Sequence, residues 1–378
     1  MDQSYIYLDY AAATPVDSDV LKEMLPFMQN NFFNPSAVYS QAVQVRRALD
    51  DARARVAHWL GAKPSEVIFT AGATEANNLA IHGIMSQYPE ANVLVSAIEH
   101  ESVIAPSSNY QQKFIAAHND GRLDLEDLTN KLNDKTVLVS VMQANNEIGT
   151  IQPLKLVAKI IQLERKKRGP KGLPIYLHTD SAQAANYLDL HTSRLGVDLM
   201  SLNGGKIYGP KQTGILFIKT GINLAPQVLG GGQERGIRSG TENVSGFVGL
   251  ASALDHSQTE RLSESQRLTI LRDNFISEIQ KAIPTLIING SLKFRLPNNI
   301  HLIIPGKDNE RLLMQLDENG ILAAAGSACS ASNDEPSHVL KVIGKSDDEA
   351  RSSIRLTLGR DTTEADLKQV LSVLKRLS

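Results

Sequence analysis

"EVIFTAGATEANN" (66–78) joins a short apolar run to a Gly-containing turn and then to a helical pattern, the succession from which α/β folds are built. Val, Ile and Phe in "EVIFT" suit a strand covered on both faces. The apolar run recurs along the first two thirds of the chain as "NVLVSAI" (92–98), "TVLVSVM" (136–142), "PIYLHTD" (174–180), "DLMSLN" (198–203) and "GILFIK" (214–219), alternating with helical patterns. A mostly parallel central sheet flanked by helices is expected from that order. "QAVQVRRALDDARARVAHWLG" (41–61) predicts a helix stopped by Gly61, and the basic, Gly- and Pro-containing "ERKKRGPKGLP" (164–174) reads as a solvated loop. From about residue 250 the pattern changes to a long polar helix (257–283), two strands, "NNIHLII" (298–304) and "SIRLTL" (353–358), and a closing helix (364–377). These define a smaller α+β C-terminal domain. The expected division is a large domain over 15–250 and a small domain made of 1–14 and 251–378.

The composition narrows the class of function. With 378 residues, 42% hydrophobic and 21% charged, the chain has the balance of an ordinary globular protein. A net charge of −2 gives no electrostatic footprint for nucleic acid or an anionic membrane, so a small ligand is expected instead. "MDQSYIYLDYAAATP" (1–15) has no basic region leading into an apolar run, and the cytoplasm is the expected location. Cys329 is the sole cysteine, which excludes an internal disulfide and a Cys-based zinc site. It lies in "AAAGSACSAS" (323–332), a stretch without one bulky side chain.

Ligands of open α/β sheets bind at the carboxyl ends of the strands, so the residues directly after each strand carry the functional reading. After "EVIFT" comes a turn into a helix, where backbone N–H groups and the helix dipole favour a phosphate. "NVLVSAI" leads to His100, "TVLVSVM" to Asn146, "PIYLHTD" ends in Asp180 with Gln183 three residues on, and "DLMSLN" runs into Lys206. Each has a plainer reading as a structural His, a turn-capping Asn or a surface ion pair. One cofactor uses the whole set: pyridoxal 5′-phosphate needs an anion-binding helix start, a carboxylate for its ring nitrogen, a lysine for its aldehyde and a ring to stack on. A metal at His178 and Asp180 lacks a third ligand, and "LGGGQERG" (229–236) fits no nucleotide-binding pattern, so it is assigned to a loop near the site.

"YLDYAAATPV", "FNPSAVYS", "VIFTAGATEANNLAI", "IEHESV", "NNEIG", "HTDSAQ", "KIYGPK", "GGGQERGIRSGT", "GSACSAS" and "SSIRLTLGR" occur in this order from residue 5 almost to the end. Together they resemble the cysteine desulfurases, pyridoxal-phosphate enzymes of fold type I within the class V aminotransferase group. The loop around Cys329, about 323–336, resembles that of the longer-loop group that supplies sulfur for iron–sulfur clusters and tRNA thiolation. The resemblance implies a homodimer that takes sulfur from L-cysteine, releases L-alanine and leaves a persulfide on Cys329. It implies transfer to an acceptor protein, a cluster scaffold or a thiolation protein, and a Cys329 able to ligate an iron–sulfur cluster transiently. DNA sulfur modification is a third destination. A loop of small residues suits a thiol that travels between cofactor and acceptor.

By matching motif, Lys206 is implied as the cofactor-binding lysine and His100 as the ring-stacking residue that assists proton transfer. Ala73 and Thr74 match the phosphate turn, Asn146 and Gln183 the contacts to the ring hydroxyl, and Asp180 the partner of the ring nitrogen. Thr241 matches the residue that reaches the phosphate from the other subunit, and Asn34 and Arg355 the groups that hold the substrate carboxylate. One departure stands out. Where the family has Ser-Gly-His-Lys, this chain has Asn203-Gly204-Gly205-Lys206. A lost hydrogen bond to a charged group costs roughly 1.5–3 kcal/mol, so cofactor affinity is expected to fall by one or two orders of magnitude unless another group compensates. The rival readings are another fold-type-I enzyme, such as an aminotransferase or selenocysteine lyase, and a catalytically weakened sulfur-carrying scaffold.

Overall fold

The structure, a computed structural model, describes residues 5–326 and 336–378; Cys329 and most of its loop lie outside the described residues. Twelve strands are described: β1 (Ile6–Tyr7), β2 (Val67–Thr70), β3 (Asn92–Ser96), β4 (Gln111–Ile115), β5 (Thr136–Ser140), β6 (Tyr176–Asp180), β7 (Leu199–Asn203), β8 (Gly214–Ile218), β9 (Ile287–Ile288), β10 (Asn299–Ile303), β11 (Ile321–Leu322) and β12 (Ser353–Thr357). Seven form the central sheet in the order β2-β8-β7-β6-β5-β3-β4. β3 to β7 pair in parallel, while β8 is antiparallel to both of its neighbours. Between Asn203 and Gly214 the chain is too short for a crossover helix, so β8 must return in the opposite direction. The apolar runs read as strands are buried on both faces: every residue of β2, β3, β5 and β8 is buried.

Three elements differ from the expectation set by the sequence. β4 is an edge strand whose residues are mostly exposed or half-buried, so it carries no apolar run. The basic run 164–168 is the last turn of helix Leu154–Arg168 rather than loop, which sets four cations at its negative pole. The helix expected at 257–283 begins at Val244 and runs 39 residues to Ala282. Its first half is buried nearly all round, so it lacks the polar stripe by which a surface helix is read.

That helix connects two apolar cores. Val244 to Leu254 pack into the core of the large sheet with Phe69, Phe217 and Leu202. Leu268, Phe275 and Ile279 pack with Leu8, Ile300, Leu302, Leu356 and Val370 in the core of the smaller C-terminal domain. There β12-β10-β9 form an antiparallel sheet, and β1 pairs in parallel with β11. Leu8 thus ties the start of the chain to its end. Helix Ser40–Leu60 closes at Gly61 in the left-handed conformation, φ 59°, as the sequence predicts. Among the described residues no helix is long and apolar enough to cross a membrane.

The Gly-rich stretch 229–236 contributes to the fold through Glu234. Its carboxylate takes two bonds of 2.7 Å from the Arg53 guanidinium and one of 2.8 Å from the Phe69 amide. Arg53 also lies over the Phe69 ring at 4.6 Å. Both partners of this ion pair are buried, so removing one strands the other charge away from water. Glu234→Ala is therefore expected to lower stability by about 3–5 kcal/mol, measured by denaturant unfolding; a change below about 1 kcal/mol would mean that water reaches Arg53.

Candidate active site

Parallel strands deliver their carboxyl ends to one edge of the sheet, and a cavity of about 270 Å³ lies there. Ala73, Thr74, His100, Asn146, Asp180, Gln183, Asn203, Lys206 and Arg355 all line it. Nine residues singled out from the sequence therefore meet in one place. Gly205 lines an adjoining cavity that shares Ala73, Thr74, Asn203 and Lys206 with the first. Asn34 and Thr241 are exposed and line neither cavity. The Asn34 side chain accepts from the Ser36 amide at 2.9 Å. Cys329 lies outside the described residues.

Asp180 is the last residue of β6 and is held from both sides. Its Oδ1 accepts from the Ala182 amide at 2.9 Å, and its Oδ2 from Asn77 Nδ2 at 2.7 Å. Asn77 is fully buried and also donates to Ser102 Oγ at 2.8 Å. Ser102 in turn meets His100 Nδ1 at 2.8 Å through its hydroxyl and donates its amide to the same nitrogen at 3.1 Å. An Nδ1 that accepts a backbone N–H carries a lone pair, so in the neutral ring the proton sits on Nε2. Asn77 thereby couples the orientation of the carboxylate to that of the imidazole. The strand-end pattern does not single out Asn77, although an Asn on an otherwise apolar helix face signals a buried polar contact.

Lys206 stands at the end of β7 and donates to the carbonyls of Ala11, at 2.9 Å, and Ala12. Gln183 Nε2 donates to the Ala11 carbonyl at 3.0 Å. Arg355, on β12, is almost wholly buried: one terminal nitrogen donates to Asp9 Oδ1 at 2.7 Å and the other to the Asn146 carbonyl at 3.0 Å. Its Nε has no partner among the described residues. Glu99, next to His100, is completely buried, and burial pushes its carboxyl well above the usual range although the Met142 amide opposes the shift. Burial thus biases the acid behind His100 toward its neutral form.

The donors fit pyridoxal 5′-phosphate. Helix Ala73–Met85 starts at Gly72, φ 142°, with no side-chain cap, which leaves its first amides for an anion. The Asp180 carboxylate suits a protonated ring nitrogen, the Lys206 amine an aldehyde, and the Arg355 guanidinium, which lines the cavity, a carboxylate.

Comparison with known proteins agrees. Residues 6–370 match the Aminotransferase class-V family. The chain belongs to that family. It is 40% identical over 379 residues to a cysteine desulfurase, IscS, of Dictyoglomus turgidum (strain DSM 6724 / Z-1310), covering 98% of this chain and 94% of that one. Its fold is similar to that of a solved NifS-like protein, with a TM-score of 0.91, 30% identity and 99% of each chain covered. It is also similar to a structure described as SspA in complex with cysteine, with a TM-score of 0.79, 32% identity, and 93% of this chain and 98% of the other covered. Pyridoxal phosphate is the cofactor of the family, and the class-V fold accounts for the mostly parallel sheet and the smaller C-terminal domain.

Two residues before Asp180 on β6, His178 is fully buried between Ser140 Oγ at 2.8 Å and Ser201 Oγ at 3.0 Å. It takes part in hydrogen bonding between strands rather than in metal binding. Desolvation lowers its pKa to about 4, partly opposed by Asp180. The folded protein thus holds His178 neutral below the pH at which the unfolded chain protonates it. Its contribution to stability is fully present above about pH 6.5 and is lost progressively as pH falls toward the folded value of about 4. In His178→Asn the slope of unfolding free energy against pH over that interval should be shallower by up to one proton, about 1.4 kcal/mol per pH unit. An unchanged slope in urea titrations would show that the ring is already charged or solvated.

Proposed function

We infer from the cavity together with the family that the chain is a pyridoxal-phosphate-dependent cysteine desulfurase, converting L-cysteine to L-alanine and passing its sulfur to Cys329. The observation that carries this reading is the convergence of Lys206, Asp180, His100 and Arg355 on one cavity beside an uncapped helix start. When bound, the cofactor supplies an electron sink for the Cα of the amino acid joined to it.

The chain's own residues supply the rest. Lys206 Nζ would hold the cofactor and serve as the base toward the Cα proton. Asp180, oriented by Asn77, would partner the ring nitrogen. His100 would stack on the ring and hold a proton at Nε2, and Asn146 and Gln183 would contact the ring hydroxyl. Ala73 and Thr74 would bind the phosphate at the helix start. Arg355, with Asn34, would take the substrate carboxylate; these roles are carried over from the family motif. The Cys329 thiolate then attacks the substrate sulfur: an S–S bond forms, the C–S bond breaks, and the carbon fragment gains a proton to become alanine. An unperturbed thiol is only about 3% thiolate at pH 7, so proton transfer from Cys329 to His100 or substrate belongs to the mechanism.

The small domain, proposed to comprise 1–14 and most of 251–378, contributes Arg355 to the cavity, and Cys329 belongs to the same span of sequence. A homodimer is supported by the exposed apolar side chains Leu21, Leu25, Met28, Phe32 and Val38 on and after helix Ser18–Gln29, and by the exposed position of Thr241, which is proposed to reach the phosphate of the other subunit. The sulfur acceptor is a cluster scaffold or a thiolation protein, and the reaction is assigned to the cytoplasm.

Purified protein given L-cysteine, pyridoxal phosphate and dithiothreitol should release sulfide and alanine in equal amounts. Cys329→Ala should lose at least 95% of sulfide release, roughly the 1.8 kcal/mol or more of barrier that this factor represents. Lys206→Ala should lose the imine absorbance band. Alanine without sulfide, or full sulfide release by Cys329→Ala, would assign the chain to another reaction of this cofactor. Sedimentation at micromolar concentration should give twice the chain mass; a monomer would remove the role given to Thr241.

A further inference from the structure

The adjoining cavity is lined by Ala71 to Glu75, Asn78, Asn203, Gly205, Lys206, Lys211 and Gln212. It lies where the helix start faces the end of β7, the phosphate end of the site. Gly205 contributes no side chain there, yet the backbone would admit one. A Cβ at this position would stand 3.4 Å from Asn203 Oδ1 and 3.4 Å from Lys211 Cγ, ordinary contact distances. The stem of Lys211 therefore begins beside the place where a side chain at 205 would begin. Lys211 is exposed and takes part in no ion pair among the described residues. The next residue, Gln212, holds a left-handed φ of 58°, a conformation that disfavours any residue with a Cβ.

Lys211 has no carboxylate of this cavity to pair with. The cavity's one carboxylate, Glu75, is occupied by Arg238 at 2.7 Å and by the Ala71 amide at 3.0 Å. Lys206 and Lys211 are its lysines. Asn203 adds a neutral donor: its Oδ1 accepts from the Gly205 amide at 2.9 Å, which leaves Nδ2 turned toward Gly72, 3.9 Å from where a Cβ on that residue would be. A cationic side chain and an amide donor thus flank the uncapped helix start.

We propose that Lys211 supplies the charged contact to the cofactor phosphate that residue 205 leaves out, with Asn203 Nδ2 as the neutral contact beside it. The proposal rests on the cofactor assignment above. An ammonium on a four-carbon stem reaches a phosphate as a point charge, without the fixed geometry an imidazole would need. The expected loss of affinity from Gly205 is thereby offset within the same cavity.

The test measures dissociation constants of apoprotein for pyridoxal 5′-phosphate and for pyridoxal, which lacks the phosphate, by absorbance and fluorescence quenching. Lys211→Ala should weaken pyridoxal phosphate at least tenfold and change pyridoxal less than twofold. Lys211→Arg should stay within threefold of the wild type for both. In the Lys211→Ala background, Gly205→His should recover most of the lost phosphate affinity. A pyridoxal phosphate constant within twofold of the wild type in Lys211→Ala, or equal weakening of both ligands, would overturn the proposal. If the unsubstituted protein bound neither ligand, the cofactor assignment itself would fail, an outcome distinct from either of these.

Discussion

The segment Asp9–Thr14 lines the cavity through Ala11 and Ala12, and the geometry of the site depends on its contacts. Asp9 pairs with Arg355, the Ala11 carbonyl accepts from both Gln183 and Lys206, and the Thr14 amide donates to the Gly205 carbonyl at 3.2 Å. Thr14 Oγ1 accepts from the Tyr208 amide at 2.8 Å. The Ala11 amide donates to Thr357 Oγ1 at 3.0 Å and the Thr357 amide to the Leu8 carbonyl at 2.7 Å. One short segment, folded into a turn at Tyr10–Ala12, therefore bonds to the end of β7, to the turn after β6 and to β12 of the small domain. Carbonyls fixed in this way accept from the Lys206 amine and set its position.

A second set of contacts controls protonation. Asn77 is bonded to Asp180 and to Ser102, and Ser102 to His100. Desolvation acts on two groups around them, lowering the pKa of His178 to about 4 and raising that of Glu99 well above the usual carboxylate range. Glu99 is thereby biased toward its neutral form, and Asp180 is the carboxylate that lines the cavity.

The sequence makes some of this architecture legible and hides the rest for physical reasons. Central strands covered on both faces leave unbroken apolar runs, so β2, β5 and β8 can be read directly. β4, an edge strand with Gln111, Lys113 and Phe114 exposed, leaves none. Asp180, His100 and Lys206 are legible because they stand at or just beyond strand ends, and a parallel sheet gathers those ends at one edge. Lys206 and Gln183 are in fact held by the carbonyls of Ala11 and Ala12, and a backbone carbonyl has no residue signature. Asn77 belongs to the same strand-turn-helix stretch, 66–78, but only the fold shows that the second turn of its helix faces Asp180. Asn34 and Thr241 are marked by motif resemblance alone, and both are exposed and stand outside the cavity.

The state of Arg355 bears on how such a site selects its substrate. Its guanidinium is already oriented by Asp9 and by the Asn146 carbonyl, so binding freezes little rotamer freedom at that end. The pair with Asp9 also cancels most of its charge before a ligand arrives. An anion that meets this guanidinium therefore gains directed hydrogen bonds more than a long-range attraction. A site whose cation is paired in place discriminates by where donors point, and the Asp9 side chain with the Ala11 and Ala12 carbonyls sets that direction for Arg355 and Lys206 together.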